Sequence, residues 1–318
     1  MDIKIIEDLV CPLCQGKLKI SDNLANNKDL IDSGNIICGQ CNQKYDIIDG
    51  VPKFVVKNIM QDEETVDGWG QQWQILSPEI NEYFYKNAYT RFEEYSLTSE
   101  FFQNKKVLDV GCGSGRWSKI AAERNPKLIF ALDLSAAIFT AKKNLSDYKF
   151  IHFFLGDMAK TPFQTEYFDF INAVEVLQHT DEPLKTLKHL VSLLKKGGYL
   201  TFSLYMHPPT LFGKIKIRIM NIMRFIVNIF GKEAMYKFTK LSPVMFKHKL
   251  TYPIARIIFL KPDSDDDHII WHVNHDNYIS GNQKTYSREE TLSMINEAGL
   301  EIIKESNILI NHFLLRKK

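Results

Sequence analysis

Five strand-like runs alternate with helix-length segments in the middle of this 318-residue chain. The runs occupy residues 106–110, 128–133, 150–155, 168–174 and 199–205. Strands that alternate with helices form a parallel sheet, because each connection has to cross over the sheet before the next strand begins. The pattern therefore predicts an α/β fold with a doubly wound, Rossmann-like sheet.

The alternation stops after the fifth run and resumes about 75 residues later, with a predicted helix over 288–298 and predicted strands over 300–304 and 308–315. We therefore expect an α/β core made of residues 101–206 and 282–318, with a helical lid inserted at 207–281. Residues 58–100 are rich in aromatic and acidic residues, which is typical of helices that cover a neighbouring domain. We interpret them as a cap and linker that follows a separate unit at 1–57.

Two Cys-x-x-Cys pairs lie within that first unit. Cys11 and Cys14 are followed by Cys38 and Cys41, a spacing that lets two tight turns present four thiolates to one Zn²⁺. Unpaired or redox-active cysteines are the alternative, but two such pairs in one small polar segment favour metal. Four protein ligands leave no open coordination position, so the ion would be structural in a small β-rich zinc ribbon.

A glycine-rich turn follows the first strand of the core. The segment from Asp109 to Gly115 reads Asp-Val-Gly-Cys-Gly-Ser-Gly and leads from a predicted strand into a predicted helix. Glycine lets the backbone approach a ligand closely, and the first N–H groups of a helix attract a negatively charged group. The next strand ends at Asp133, which is placed to accept hydrogen bonds from ribose hydroxyls. The third strand is followed by Asp157, a carboxylate placed to accept a hydrogen bond from the exocyclic amine of adenine.

With the runs Phe168–Val174 and Leu194–Leu200 that follow, residues 105–206 resemble class I S-adenosylmethionine-dependent methyltransferases of the small-molecule type, the Methyltransf_11-like group. The resemblance implies a seven-stranded sheet with S-adenosylmethionine (SAM) across the carboxyl ends of its strands. It implies that the methionine part of SAM is held by Asp109, Gly111, Cys112, Gly113 and Gly115. Asp133 and Leu134 would bind the ribose and adenine, and Asp157 and Met158 would bind the adenine edge. Val174 would line the side of the sulfonium.

The N-terminal unit resembles the Trm112-like zinc ribbons. The resemblance rests on the two cysteine pairs and on the run from Tyr45 to Pro52, in which Asp46 stands where that family usually has Pro. Trm112-like ribbons elsewhere serve as methyltransferase activators, so a non-catalytic partner subunit is one alternative for this chain. The intact glycine turn and the three acids favour an enzyme over that alternative.

His179 is the candidate catalytic base. It lies in a segment that resembles the Leu-His-His run of the methyltransferase family, with Gln178 in place of the first His. Methyl transfer depends on placement of the acceptor and in some cases on a base, and a packing histidine is the alternative interpretation. The acceptor itself is not encoded by fold and cofactor motifs. We expect a small-molecule or glycan-type acceptor, with RNA methylation as the alternative.

The insertion carries the strongest local charge in the chain. Between Leu204 and Lys261 there are eleven Lys and Arg residues and one acid, Glu233. Lys214, Arg218 and Arg224 fall at helical spacing, which predicts a basic amphipathic helix. We interpret this helix as a lid over an anionic acceptor such as a phosphorylated or nucleotide-linked sugar, with peripheral membrane contact as the second choice. A solvated helix whose apolar side packs on the sheet is the simpler alternative.

The rest of the composition limits the other partners. The net charge of +2 gives no general reason to expect a nucleic-acid or membrane partner. The first residues show no basic region followed by an apolar run, and the cysteines suit metal in a reducing compartment, so we expect a cytoplasmic protein. A late cluster of His268, His272, His275 and Asp276 is a candidate second metal site, with a polar loop as the alternative.

Overall fold

The computed structural model describes residues 1–21, 30–55, 78–208, 210–279, 284–306 and 311–318. Residues 58–77 of the predicted cap, which include Trp69 and Trp73, lie outside these ranges.

The N-terminal unit is a small antiparallel sheet behind a 3₁₀ helix at Ile3–Asp8. Its strands are β1 (Leu18–Ile20), β2 (Gly34–Cys38), β3 (Lys44–Ile48) and β4 (Val51–Pro52), and they pair in chain order. The first cysteine pair lies in the turn before β1, and the second lies at the end of β2 and just beyond it. The predicted β-rich ribbon is confirmed.

The core is one seven-stranded sheet. Its strands are β5 (Lys106–Val110), β6 (Leu128–Asp133), β7 (Ile151–Leu155), β8 (Phe168–Ala173), β9 (Leu194–Ser203), β10 (Leu300–Glu305) and β11 (His312–Lys317). They lie in the order β10-β11-β9-β8-β5-β6-β7, and β11 alone runs antiparallel to its two neighbours. The strand order reverses between β5 and β8, and ligands of open α/β sheets bind outside the carboxyl ends of the strands at such a point.

Eleven α-helices surround the sheet or form the insertion in the described part of the chain. They are α1 (Pro78–Glu94), α2 (Ser99–Phe102), α3 (Arg116–Ala122), α4 (Ala137–Asn144), α5 (Pro183–Leu193), α6 (Leu211–Ile229), α7 (Gly231–Thr239), α8 (Leu241–Lys247), α9 (Tyr252–Ile258), α10 (Asp267–Ile279) and α11 (Arg288–Glu297). Strands β5 to β8 are mostly apolar and buried, because both faces of this part of the sheet are covered. The predicted doubly wound, seven-stranded α/β fold with a helical insertion is confirmed.

The zinc ribbon docks on the edge strand β7 of the large sheet. The Phe54 N–H donates to the Leu155 carbonyl over 2.7 Å, and the Val10 N–H donates to the Pro162 carbonyl over 2.9 Å. Phe54 is almost fully buried, and one apolar core contains ribbon residues together with strand residues such as Leu108 and Phe130. The ribbon therefore completes the edge of the sheet.

Helices α6 to α10 build the insertion around a core of their own. Met220, Val227, Phe246, Phe259 and Tyr278 are among its buried members. Helix α10 also packs against α1, which brings the insertion over the carboxyl end of the sheet. Among the described helices, none combines the length and apolar character needed to cross a membrane.

Candidate functional site

The four cysteines of the ribbon converge on one point. Their Sγ atoms all lie within 4.8 Å of one another, with 3.7 Å between Cys11 and Cys41 and 3.5 Å between Cys14 and Cys38. A tetrahedral Zn²⁺ with sulfur ligands at about 2.3 Å holds those sulfurs about 3.8 Å apart. The donor set and its spacing fit one structural zinc ion, and these four form the only candidate metal-binding group within the described ranges.

Tyr45 connects the cysteine cluster with the large sheet. Its buried hydroxyl lies 3.1 Å from the Cys11 Sγ, and its ring contacts the ring of Phe54 at a centroid distance of 4.9 Å. Groups that hydrogen-bond to a ligand sulfur orient it and tune the metal. Phe54 belongs to the segment that pairs with β7, so the cluster is packed against the methyltransferase-like core through two aromatic rings.

A cavity of about 1080 Å³, part of it open to solvent, lies at the carboxyl ends of the central strands. Its wall is formed by Phe84, Gly111, Cys112, Gly113, Arg116, Trp117, Asp133, Leu134, Ser135, Asp157, Met158, Val174, Glu175, Val176, His179, Thr180, Tyr205 and Asp276. Cavities of this size bind cofactors and small molecules in other proteins. Nine of the eleven residues predicted for the cofactor or for catalysis therefore meet around one space, and only Asp109 and Gly115 are absent from its wall.

The turn after β5 needs glycine for two separate reasons. Gly111, Gly113 and Gly115 all have positive φ, at +66°, +54° and +89°, a region that other residues rarely adopt. A Cβ at Gly111 would also clash with the side chain of Val176. At Gly115 a Cβ would lie 2.7 Å from Leu145 Cδ1, so this glycine serves the packing of α3 on α4 instead of the cavity wall.

Asp133 holds the glycine turn in place from the end of β6. One of its carboxylate oxygens accepts a hydrogen bond from the Gly113 N–H at 2.8 Å. The other accepts from the Ser135 N–H at 2.8 Å and from the Ser135 hydroxyl at 2.7 Å. Burial raises the pKa of Asp133 above its ordinary value, although these hydrogen bonds favour the charged form. The carboxylate still contributes to the cavity wall.

Asp109 differs from the prediction because it lies beneath the turn. It is 1% exposed, and its carboxylate accepts hydrogen bonds from the Ser118 hydroxyl at 2.6 Å and the Asn172 amide at 2.8 Å. Asn172 in turn accepts from the Thr201 hydroxyl. This buried network joins β5, α3, β8 and β9, so Asp109 supports the turn and has no place in the wall of the cavity. Burial raises the pKa of Asp109 to about 6.

Asp157 and Met158 form another part of the wall, after β7. The Asp157 carboxylate accepts a hydrogen bond from the Ala159 N–H at 2.8 Å, which fixes the turn, and burial raises the pKa of this carboxyl. Leu134 and Val174 line the cavity from the ends of β6 and β8. Asp133 and Asp157 thus follow adjacent parallel strands and face the same space, as the sequence predicted.

His179 lies in the wall of the cavity, in a short 3₁₀ helix at Leu177–His179. Its ring meets the ring of Tyr205 edge to face at 5.8 Å, and burial lowers the pKa of the imidazole below its usual value. Burial also raises the pKa of Tyr205. Arg116 and Asp276 complete this side of the cavity, and the Arg116 guanidinium lies 5.0 Å from the ring of Phe84.

Glu175 is the most heavily paired acid of the site. Its φ of +58° is unusual for a residue other than glycine, and its N–H donates to the Ser203 hydroxyl at 2.8 Å. Burial alone would raise the pKa of the Glu175 carboxyl, but Arg91, His312 and Arg116 outweigh burial and bring it down to about 2. A strained backbone that the surroundings hold in place is common at functional sites.

The basic helix of the insertion does not face the cavity. Lys214 and Arg218 are exposed, and neither contributes to the cavity wall. Arg224 is buried, and its guanidinium donates hydrogen bonds to the Asn277 carbonyl at 2.6 Å and to the Asn221 side-chain oxygen at 2.8 Å. None of these three residues contributes to the cavity wall, and the basic lid over an anionic acceptor stays a prediction.

The late histidine cluster also separates. His272 contacts the ring of Phe84, while His275 lies 3.3 Å from the Thr239 hydroxyl. Within the described ranges they do not assemble with His268 and Asp276 into a candidate metal site. Asp276 instead reaches the cavity.

Sequence reasoning missed several residues of the wall, and some of them left a signal. Arg116 directly follows the glycine turn, and Glu175 and Tyr205 are polar residues that come just after β8 and β9, where parallel strands of one sheet end together. Phe84 and Asp276 left no such signal, because the packing of α1 and α10 over the sheet brings them to the site.

Comparison with known proteins agrees with this geometry. Residues 108–202 match the family model described as "Methyltransferase domain", and residues 2–50 match the model described as "Trm112p-like protein". The first match contains the glycine turn, Asp133, Asp157 and His179, and the second contains all four ribbon cysteines.

Three individual proteins illustrate the similarity. A ubiquinone biosynthesis O-methyltransferase from Coxiella burnetii is 31% identical over 103 residues, which is 32% of this chain and 44% of that protein. A tRNA U34 carboxymethyltransferase from Nautilia profundicola is 28% identical over 146 residues, covering 45% of this chain and 49% of that protein. A crystal structure of a SAM-dependent methyltransferase from Aquifex aeolicus has a TM-score of 0.42 and 15% identity, and covers 72% of this chain and 87% of that chain.

The chain spans less than half the length of these two curated relatives. The similarity therefore concerns a single domain, and not the activity of the whole relative. Residues 108–202 are therefore similar to the methyltransferase-domain family, and residues 2–50 are similar to the Trm112p-like family.

Proposed function

We propose that this protein transfers the methyl group of SAM to a small-molecule or glycan-type acceptor. The observation that carries the proposal is the convergence of the glycine turn, Asp133 and Asp157 on one cavity at the carboxyl ends of the parallel strands. A ligand with hydroxyl and amino donors suits two half-buried carboxylates of the cavity wall, because a partly buried acceptor needs hydrogen-bond donors. SAM has these donors on its ribose and adenine.

Successive wall residues along the chain would bind successive parts of SAM, from its methionine part to its adenine. Gly111 and Gly113 would lie against the methionine part, since both belong to the cavity wall and carry no side chain that would project from it. Asp133 would accept hydrogen bonds from the ribose hydroxyls, and Asp157 with Met158 would meet the adenine. Asp109 and Gly115 would support this arrangement from outside the wall.

SAM supplies a methyl group on a positively charged sulfur. A lone pair of the acceptor forms the new bond to the methyl carbon while the carbon–sulfur bond breaks, and a proton then leaves the acceptor. The imidazole of His179, whose pKa is lowered by burial, is neutral near pH 7 and can accept that proton at a ring nitrogen. Tyr205 and Asp276 would orient the acceptor.

The acceptor side of the cavity does not select strongly for negative charge. Arg116 is its only cation among the described wall residues, and the nearby acids Glu175 and Asp276 act against its positive charge. We therefore propose a small acceptor that presents a hydroxyl or amine to His179, without the large anionic group that the sequence suggested. An RNA acceptor is a second candidate, favoured by the similarity to a tRNA carboxymethyltransferase.

Two measurements test the proposal. Calorimetry should detect SAM binding, and radiolabelled methyl groups should enter the low-molecular-weight fraction of a cell extract in preference to total RNA. His179→Ala should reduce turnover by about 10²- to 10⁴-fold while leaving SAM affinity within a factor of about three. His189→Ala is the matched control, since His189 is also largely buried but contacts Thr161 away from the cavity.

Absence of SAM binding would overturn the proposal and leave a non-catalytic partner as the explanation. Label that enters RNA alone would favour the second candidate. Equal turnover in wild type and His179→Ala would remove the base role from His179.

A further inference from the structure

The helical insertion exposes most of the large apolar side chains that the described residues leave in solvent. In residues 211–254 these are Leu211, Phe212, Ile215, Ile222, Phe225, Ile226, Ile229, Phe230, Tyr236, Leu241, Val244, Leu250, Tyr252 and Ile254. Scattered exposed apolar residues are ordinary on protein surfaces, but a contiguous apolar patch marks an interaction site.

Helix α6 is apolar on two opposite faces. Its inner face buries Met220 and Val227 in the core of the insertion. Its outer face carries a stripe of apolar side chains at intervals of three, four and seven residues, which stack along one side of a helix. The stripe consists of Leu211, Ile215, Ile222, Phe225, Ile226 and Ile229.

The stripe is large for a surface with no partner in the described chain. Leu211, Phe225 and Ile229 are 75%, 70% and 66% exposed. Six exposed apolar side chains on one face of a helix form a contiguous patch, and a patch of more than about a few hundred square ångströms on a monomer is often functional. The helix that carries them has 19 residues and is therefore about 28 Å long.

Positive charge accompanies this apolar stripe. Arg218 is exposed on the stripe itself, between Ile215 and Ile222, and exposed Lys214 lies beside it. Glu233 is the only acid between Leu204 and Lys261, against eleven Lys and Arg residues. Long basic side chains can keep their charge among lipid headgroups while their stems cover apolar surface.

We propose that the outer face of α6 docks the protein on a membrane surface that contains anionic phospholipid. The helix lies in the plane of the membrane with its apolar stripe at the level of the acyl chains, and Lys214 and Arg218 contact lipid phosphates. A second copy of the chain fits the surface less well, because self-association would bring two positively charged faces together.

The docked helix is connected to the roof of the cavity. The Arg224 guanidinium, on the inner face of α6, donates to the Asn277 carbonyl at 2.6 Å. The preceding residue, Asp276, lines the cavity. If the proposed methyl transfer holds, on which this step rests, the acceptor is an amphiphile that reaches the cavity from the membrane surface.

Vesicle flotation at physiological ionic strength tests the docking without any need for methyl transfer. Wild-type protein should float with vesicles of phosphatidylcholine containing about one third phosphatidylglycerol, and much less with phosphatidylcholine alone. Replacing Ile222 and Ile229 together by Glu should reduce binding to the anionic vesicles at least about tenfold. Lys214→Gln with Arg218→Gln should reduce it by about tenfold or more and flatten its salt dependence.

The matched control replaces Ile302 and Ile303 by Glu, since both are similarly exposed but lie in β10. The control should bind vesicles like wild type, and thermal denaturation should show all variants folded. Wild type that fails to bind anionic vesicles, or an Ile222/Ile229 pair that binds as well as wild type, would overturn the proposal. A wild-type dimer in sedimentation velocity that this pair dissociates, without vesicle binding, would identify a second copy as the occupant.

Discussion

Replacing Asp133 with Asn tests how the end of β6 holds both the glycine turn and a ligand. Each carboxylate oxygen of Asp133 accepts a backbone N–H, one from Gly113 and the other from Ser135, both at 2.8 Å. An Asn side chain has one oxygen and one NH₂ group. In either orientation of the Asn side chain, its NH₂ group faces the N–H of Gly113 or of Ser135. One of these two buried N–H groups therefore loses its acceptor.

The size of the effect follows from these contacts. A buried donor left without an acceptor costs about 1–3 kcal/mol, so the free energy of unfolding should fall by that amount. Ribose hydroxyls would also lose a charged acceptor, worth roughly 1.5–3 kcal/mol. That loss corresponds to SAM affinity about 10- to 150-fold lower than in wild type.

Asp169→Asn provides the matched control. Asp169 also accepts a backbone N–H, from Lys106 at 2.9 Å, and an ammonium donor from Lys195 at 2.7 Å, but it lies near the start of β8 and away from the cavity. Urea denaturation and calorimetry on both variants should show lower stability in each, with SAM affinity reduced only in Asp133→Asn. Equal losses of affinity in both variants, or unchanged affinity in Asp133→Asn, would refute this reasoning.

Three further predictions follow from the structure. We expect about one zinc ion per chain. Its removal should lower the thermal midpoint of the whole chain in a single transition, because ribbon and sheet share one core. Two calorimetric transitions, of which the later one keeps the wild-type midpoint, would contradict this. The pKa of Asp109 is about 6 in the folded chain against 3.8 for a free carboxyl, so wild type loses stability as pH rises between these values. Urea titrations at pH 4 and pH 7 should show Asp109→Asn gaining about 2 kcal/mol relative to wild type over that interval. Gly111→Ala should lower the thermal midpoint much more than Gly299→Ala, because both glycines have positive φ but only the first would place a Cβ against a neighbour.

The central strands could be predicted closely from the sequence. The predicted runs 106–110 and 128–133 coincide with β5 and β6, because a strand buried on both faces is continuously apolar and ends at a polar residue or a glycine turn. Strand β9 begins at Leu194, five residues before the predicted run, since its first part pairs with β8 as well. The last strand was predicted over 308–315 and is found at His312–Lys317, while residues 307–310 lie outside the described ranges.

The cofactor side of the site was predictable and the acceptor side was not. Asp133 and Asp157 follow adjacent parallel strands, so their meeting at one edge of the sheet follows from the fold alone. The role of Asp109 depends on which way its side chain points, toward Ser118 and Asn172, and spacing in the sequence does not determine that direction. Asp276 reaches the cavity from an insertion whose helices pack on each other, and only a three-dimensional structure reveals such contacts.

The two proposals assign different tasks to different parts of the chain. The insertion has its own apolar core, around Met220, Phe259 and Tyr278, which is distinct from the cores that hold the sheet. Its outer face can therefore change without disturbing the glycine turn or the acids at the strand ends. Asp276 is its contribution to the cavity, on the acceptor side. Under the two proposals, the insertion selects the acceptor and the sheet binds SAM. Replacing Ile222 and Ile229 should therefore leave SAM affinity unchanged even where membrane binding is lost.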